Sequence, residues 1–566
     1  VRRLLAALLA AAALAGCGTG IPSSGPIEQG EVIAPAGSDQ FIRVIARPPE
    51  PGMTPEEIVR GFQEATASAD ASYSVARRYL TEPAAGLWSP AVGVRIVDAG
   101  GLRVARELDT VTATGLLSAT IDSRGEYLVA EPGTPLAVAY ELVEVDGEWR
   151  ISVAPDGLVL SRGDIDRGFR TFSLYFFTPD FTQLAPSPVT IPLSDAGLAT
   201  QLVRALVAGP PEWYAPAVST AFPVGTSLAV DSVPVVDGVA EVALSAEVLG
   251  ADDATRQALS AQIVWTLRQL PGITGVRITV GGQPFVVAGA GPVQPIDSWS
   301  IYDPDGLPAD AAAVAVAVET AGLVRIEPDS TTSPLGATDP ALVAPGIALD
   351  GSAVAGLGTD DRSLWQVPLA GGQVDGPGVR RYVGTALSRP SWDRYGDVWF
   401  VDRGVGLVRV TGTGAATVPI AELPEGVRDR DLLAVSISRD GTRAALLVRR
   451  GTRVEPMVAR IGRTGAAVEV AAPLRVESAL SGAVDLAWQD ATTLAVLGTV
   501  GASALEVVSI SLGSARVART GAPEGALTVA AAPQRPVLVG TTEATFTSVG
   551  ASWDGLGPVR DPAYPG

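Results

Sequence analysis

In the carboxy-terminal half of this 566-residue chain a single spacing dominates. Tight turns on Asp and Gly recur at Asp350-Gly351, Tyr395-Gly396-Asp397, Asp440-Gly441 and Asp490-Ala491, in steps of 45, 45 and about 50 residues. Short apolar runs flank them: 347–349 and 353–357 about the first, 397–401 after the second, 435–437 and 443–448 about the third, 484–488 and 493–497 about the fourth. No helical period interrupts this pattern after about Pro295. Strands repeating every 40–50 residues predict a β-propeller with one four-stranded blade per repeat, because a lone blade cannot bury both of its faces. At that period residues 295–566 hold about six blades; degenerate repeats leave about five to seven open, and a pair of β-sandwiches is the other all-β solution.

Ahead of the propeller the periods are mixed, which predicts two α+β domains. Over 170–290, the run 172–177 (FSLYFF) reads as a strand, and Ser194 is placed to cap a helix carrying Leu198, Leu202, Ala205 and Leu206, stopped by Gly209-Pro210-Pro211. Residues 222–228 and 235–245 read as strand pairs about an Asp237-Gly238 turn. Asp252-Asp253 open a helix with Leu259, Ile263 and Leu267, and 276–280 is a last alternating strand. Over 40–165, Thr54-Pro55-Glu56-Glu57 is a capping box starting a helix with Ile58, Phe62, Ala65 and Ala69 on one face; Tyr73, Ala76 and Leu80 continue on a second. Strands are then expected at 92–97, 102–105, 111–121, 127–130, 136–145 and 148–153. Helices followed by a curved sheet, ending Asp146-Gly147-Glu148-Trp149-Arg150-Ile151, resemble the cone-shaped NTF2-like fold.

The amino end has the three parts of an export leader. Arg2-Arg3 precede an apolar run from Leu4 to Leu14, short of the ~20 residues that span a bilayer. Val1 fits an alternative start codon. The run closes on Leu14-Ala15-Gly16-Cys17, which resembles the bacterial lipobox. That resemblance implies that 1–16 is a lipoprotein signal peptide and that Cys17, the one Cys of the chain, carries S-diacylglycerol and N-acyl groups. Each buried acyl CH₂ contributes about 0.8 kcal/mol, so two long chains anchor stably where one does not. Residues 17–39, rich in Gly and Pro, read as a flexible tether. The expected location is the extracytoplasmic face of the cell membrane, held by lipid.

Composition removes most chemistry. The chain has no His, Lys or Asn, so its 41 basic residues are all Arg, against 61 acidic residues and a net charge of −20. Imidazole-based triads, lysine Schiff bases and phosphate loops ending in Gly-Lys-Ser/Thr are excluded. The acidic balance argues against a nucleic-acid partner. Carboxylates, hydroxyls, Tyr and Arg remain. Asp303-Pro304-Asp305-Gly306, with Asp310 beyond, lacks the third ligand and the twelfth-position acid of a calcium loop, and reads as a turn before the first blade. Asp252-Asp253 and Asp360-Asp361 offer paired carboxylates for glycan cleavage, but adjacent acids point apart and suit caps and turns. Gly281-Gly282 and Gly371-Gly372 read as hairpin turns, since neither opens a helix. Trp365, Trp392, Trp399, Trp488 and Trp553 read as blade packing, with sugar stacking as the alternative. Arg380-Arg381 and Arg449-Arg450 read as solvated strand edges.

Leu206-Val207-Ala208-Gly209-Pro210, Pro223-Val224-Gly225-Thr226, Asp237-Gly238 and Leu244-Ser245 resemble the GerMN domain of exported bacterial envelope and sporulation proteins. A lipobox, an NTF2-like domain, a GerMN-like domain and a propeller, in that order and ending Arg560-Asp561-Pro562-Ala563-Tyr564-Pro565-Gly566, resemble the LpqB family of actinobacterial lipoproteins. The resemblance implies a non-enzymatic accessory of an MtrB-like sensor kinase, touching its extracytoplasmic domain and influencing envelope homeostasis and division. It carries over no catalytic residue, metal ligand or cofactor. The alternative is an envelope protein that binds peptidoglycan or sugar, with carboxylate-based activity on glycan.

Overall fold

The computed structural model describes residues 46–566 other than 69–71, 194–196, 309–313, 321, 477–478, 502 and 515. The expected leader, the lipobox (Leu14, Ala15, Gly16, Cys17), the tether, Ala69, Ser194 and Asp310 lie outside the described residues. Arg43–Gly566 forms one compact unit.

The first helix, Pro55–Thr66, starts as its sequence dictates. Thr54 Oγ1 accepts from the Glu57 N–H at 3.3 Å and Glu57 Oε2 accepts from the Thr54 N–H at 2.8 Å, so two orphan donors are satisfied reciprocally. Its buried face, Ile58, Phe62 and Ala65, packs on a sheet ordered β6-β5-β3-β1-β7, with β2 and β4 paired to β3. These strands are β1 (Gly93–Val97), β2 (Arg103–Glu107), β3 (Thr110–Asp122), β4 (Tyr127–Val129), β5 (Pro135–Val145), β6 (Glu148–Val153) and β7 (Leu158–Ser161). From Pro135 to Val143, β5 alternates exposed and buried, so one face meets the helices and the other meets solvent. Two expectations need correction. The second helix is a single turn, Ser74–Arg77, entered through Tyr73 in the left-handed region (φ 51°). And β7, parallel to β1, went unread because three apolar residues in a row show no period.

In the second domain β8 (Phe169–Phe177) pairs antiparallel with β9 (Leu184–Pro192). The far edge of β8 meets the helix Asp253–Leu267 and the turn after it, whose polar side chains replace a neighbouring strand. Gln269 Oε1 accepts from the Ser173 N–H at 2.8 Å and its Nε2 donates to the Ser173 carbonyl at 2.7 Å. Thr266 Oγ1 accepts from the Tyr175 N–H, and Gln262 Nε2 donates to the Tyr175 carbonyl. A second sheet runs β10 (Val235–Val236), β11 (Val239–Leu244), β12 (Gly275–Val280), β13 (Gln283–Pro284), with β14 (Gln294–Pro295) also on β12. Asp252 caps the long helix by accepting from the Thr255 N–H at 2.8 Å. The shorter helix, Leu198–Val207, has Gly197 at its N-cap with no side-chain bond, and the expected Ser194 cap lies outside the described residues. Residues 222–228 form turns with one bridge, Leu228 to Leu244, rather than a strand.

Among the described residues six antiparallel four-stranded blades follow. The second holds Leu342–Ile347, Ala353–Gly358, Ser363–Ala370 and Val379–Val383; the fourth holds Leu432–Ile437, Arg443–Arg450, Arg453–Thr464 and Ala467–Arg475. The first takes three strands from 315–336 and its innermost from Arg560–Ala563, so the chain's end closes the ring. The recurring turns sit between the first and second strands of their blades. Each has an Asp accepting from the N–H two residues on: Asp350 from Ser352 (2.9 Å), Asp440 from Thr442 (2.8 Å), Asp490 from Thr492 (2.7 Å); in the third blade Asp393 accepts from Tyr395 (2.9 Å). Trp392, Trp399 and Trp488 are buried between blades.

Candidate functional site at the three-domain junction

The turns of blades three, four and five do more than close hairpins: they meet the second domain. Arg394 donates to Thr178 Oγ1 at 3.3 Å and lies 3.8 Å from Asp180. Tyr214, 1% exposed, hydrogen-bonds Thr442 Oγ1 at 2.6 Å. Beneath it Arg443 pairs with Asp440 at 2.6 Å, both all but fully buried, and stacks against Tyr214 and Trp488. Burial alone would raise the Asp440 carboxyl; Arg443, with hydrogen bonds from Ser438 and Thr442, outweighs it and holds the group below its ordinary range. Trp213, stacked on Tyr214, donates to the Ala472 carbonyl at 2.7 Å. Gly513, at φ 72°, lets blade five close on β9: a Cβ there would stand 2.5 Å from Pro188. Its carbonyl accepts from Thr171 and Thr190.

The segment joining the second domain to the propeller is bonded to both. The turn expected at Asp303-Pro304-Asp305-Gly306 is present, with the Gly306 N–H on the Asp303 carbonyl. It is also fastened from both sides. Gln183 Nε2 donates to the carbonyls of Asp303 (2.7 Å) and Pro304 (3.1 Å), Arg439 donates to the Asp305 carbonyl (2.9 Å), and the Ala491 N–H donates to Asp305 Oδ1 (2.7 Å). Burial, then the neighbouring Asp490 and Asp303 charges, push the Asp305 carboxyl up to about 7. Burial draws Arg439 down to about 10.

The first domain is welded on by Glu131. Arg450 reaches both of its carboxylate oxygens (2.8 and 2.7 Å) and Arg475 reaches one at 2.7 Å. Behind them Glu455, 2% exposed, takes Arg453 at 3.0 Å and also pairs with Arg475. So Arg450, read from sequence as a solvated edge, is an interdomain contact. Arg124 donates to the carbonyls of Gly209 and Pro210, and the Thr190 N–H to Gly125 O at 2.8 Å. Between the three domains lies a cleft of about 670 Å³, open solvent included. Tyr127 and Val129 come from the first domain, Pro186, Trp213 and Tyr214 from the second, and Arg443, Val458, Arg475 and Leu512 from the propeller.

The residues weighed for chemistry in the sequence are not brought together. Asp252 is a helix cap, and Asp360 is a turn acceptor for the Arg362 and Ser363 N–H groups. Trp365 and Trp553 are half-buried, with Arg380 stacked on Trp365. Arg381 donates to the Thr411 carbonyl. Among the described residues no cluster of three or more Cys, Asp or Glu is placed to hold a metal ion. Sequence reasoning missed Glu131, Tyr214, Arg439 and Arg475. A signal existed for Tyr214, since Trp213-Tyr214, one residue past the Pro210-Pro211 stop, is an apolar pair with no helix to bury it.

Three family models match in order: Lipoprotein LpqB, N-terminal domain, over 48–166; Sporulation and spore germination over 173–286; and Lipoprotein LpqB beta-propeller domain over 322–565. Lipoprotein LpqB of Thermobifida fusca (strain YX) is 31% identical over 98% of this chain and 97% of its own. Lipoprotein LpqB of Streptomyces coelicolor is 29% identical over 98% and 96%. Among solved structures, the tandem GerMN domains of the sporulation protein GerM from Bacillus subtilis align at 19% identity and TM-score 0.20 over 28% of this chain and 58% of theirs. The match to the Thermobifida fusca protein runs over nearly the full length of both chains, and the chain belongs to the LpqB lipoprotein family.

Proposed function

We propose that this chain is an exported lipoprotein, anchored through acylated Cys17 at the extracytoplasmic face of the cell membrane, and that it serves as a non-enzymatic docking accessory of an MtrB-like sensor kinase. The observation that carries the reading is the junction: three domains fastened by hydrogen bonds and ion pairs into one body, which suits presenting a fixed surface to a partner. The relatives' name and the Leu14-Ala15-Gly16-Cys17 motif support the anchor. The helices seated on a curved sheet in the first domain support its NTF2-like reading. Among the described residues no helix is long and apolar enough to cross a membrane.

Crosslinking in intact cells, followed by isolation of this protein, tests the reading. The sensor kinase ectodomain is the expected adduct, and Cys17→Ser should abolish lipid labelling and greatly reduce the adduct by releasing the protein from the membrane. Recovery of glycan without kinase, or unchanged lipid labelling of the variant, contradicts it.

A further inference from the structure

The cleft where the three domains meet has the features of a small-molecule site rather than of a packing defect. It lies at a domain interface, where such sites concentrate. Its walls are apolar and aromatic: Val129, Pro186, Trp213, Val458 and Leu512. Two guanidinium groups, Arg443 and Arg475, also line it, each about 2–3% exposed, and the Nε of each is buried without a hydrogen-bond partner. An orphaned buried donor is costly, and it is satisfied when an acceptor enters beside it. Glu126, an acid in the same lining, has its carboxyl raised by burial and by the Asp122 charge.

We propose that this cleft binds a small amphipathic carboxylate, an apolar chain or ring whose anionic end meets Arg443 and Arg475 while its body lies against the apolar wall. Because the walls come from all three domains, a bound ligand bridges them and tightens the body. The proposal does not depend on the kinase reading, since the cleft is complete within this chain.

Dodecanoate below its micellar concentration is a direct probe, titrated by calorimetry into Arg43–Gly566, which is one compact unit. Saturable binding of one dodecanoate per chain is expected, with a raised melting temperature and at least tenfold weaker binding of dodecylammonium. Val129→Trp fills the cleft from the first domain and Leu512→Trp from the propeller; either should weaken binding at least tenfold without touching the arginines. Arg475→Gln should narrow the preference for the carboxylate over the ammonium. No saturable binding, equal binding of the ammonium, or full binding by both folded tryptophan variants would overturn the proposal.

Discussion

At the residue scale, the junction rests on charges held where water is scarce. Asp305 has its folded pKa at about 7, above the ordinary 3.8, so the folded state holds its proton more tightly than the unfolded chain. Its contribution to stability is full below about 4 and is lost as pH rises through 7. The melting temperature should fall between about pH 4 and 7. Asp305→Asn, which keeps an acceptor for the Ala491 N–H, should flatten that fall; an unchanged slope would remove Asp305 from the account. The buried Arg443–Asp440 pair makes a second prediction. Arg443→Met strands a buried carboxylate and should cost about 3–5 kcal/mol in urea unfolding, whereas adding Asp440→Asn should recover part of that loss. None of this was legible in the sequence. Asp440 announced a turn through its spacing to Gly441, but what lies over a turn depends on residues more than two hundred positions away, as Tyr214 does from Thr442. Asp252 and Asp360, weighed in the sequence as members of acid pairs, instead accept from nearby backbone N–H groups, one as a helix cap and one in a turn.

At the scale of elements, alternation was readable and its absence was not. The strands of the first domain from β1 to β6 were legible within two residues, because one face is buried and the other wet. β9 was missed: it is buried almost throughout and carries Pro186, Pro188 and Pro192, residues that argue against a strand. They are tolerated because β9 pairs on one side only, with β8; its free edge gives the Thr190 N–H to the Gly125 carbonyl of the first domain, and its Thr190 and Pro188 side chains meet blade five. Ridge and groove meet at Gly513, whose positive φ and contact with Pro188 admit no side chain. Gly513→Ala should destabilise the protein by at least about 1 kcal/mol and raise hydrogen exchange in β9 first. Protection of β9 equal to the parent would show that this contact does not hold the second domain on the propeller.

At the scale of the whole molecule, the order of domains was legible from composition and period, and their mutual seating was not. Period told where strands turn, and the last strand, Arg560–Ala563, completes the first blade as a ring requires. Seating comes instead from Glu131, Tyr214, Asp305 and Gly513, single residues with no pattern around them. The central claim is that these contacts hold three domains as one body. It is tested most directly by electron–electron distance measurement on a Cys17→Ser chain with spin labels at Ala137→Cys, on the outer face of β5, and Ser552→Cys, in the last blade. A single narrow distance distribution is predicted, broadening when Glu131→Ala is added. A broad or multimodal distribution in the parent chain would contradict the claim.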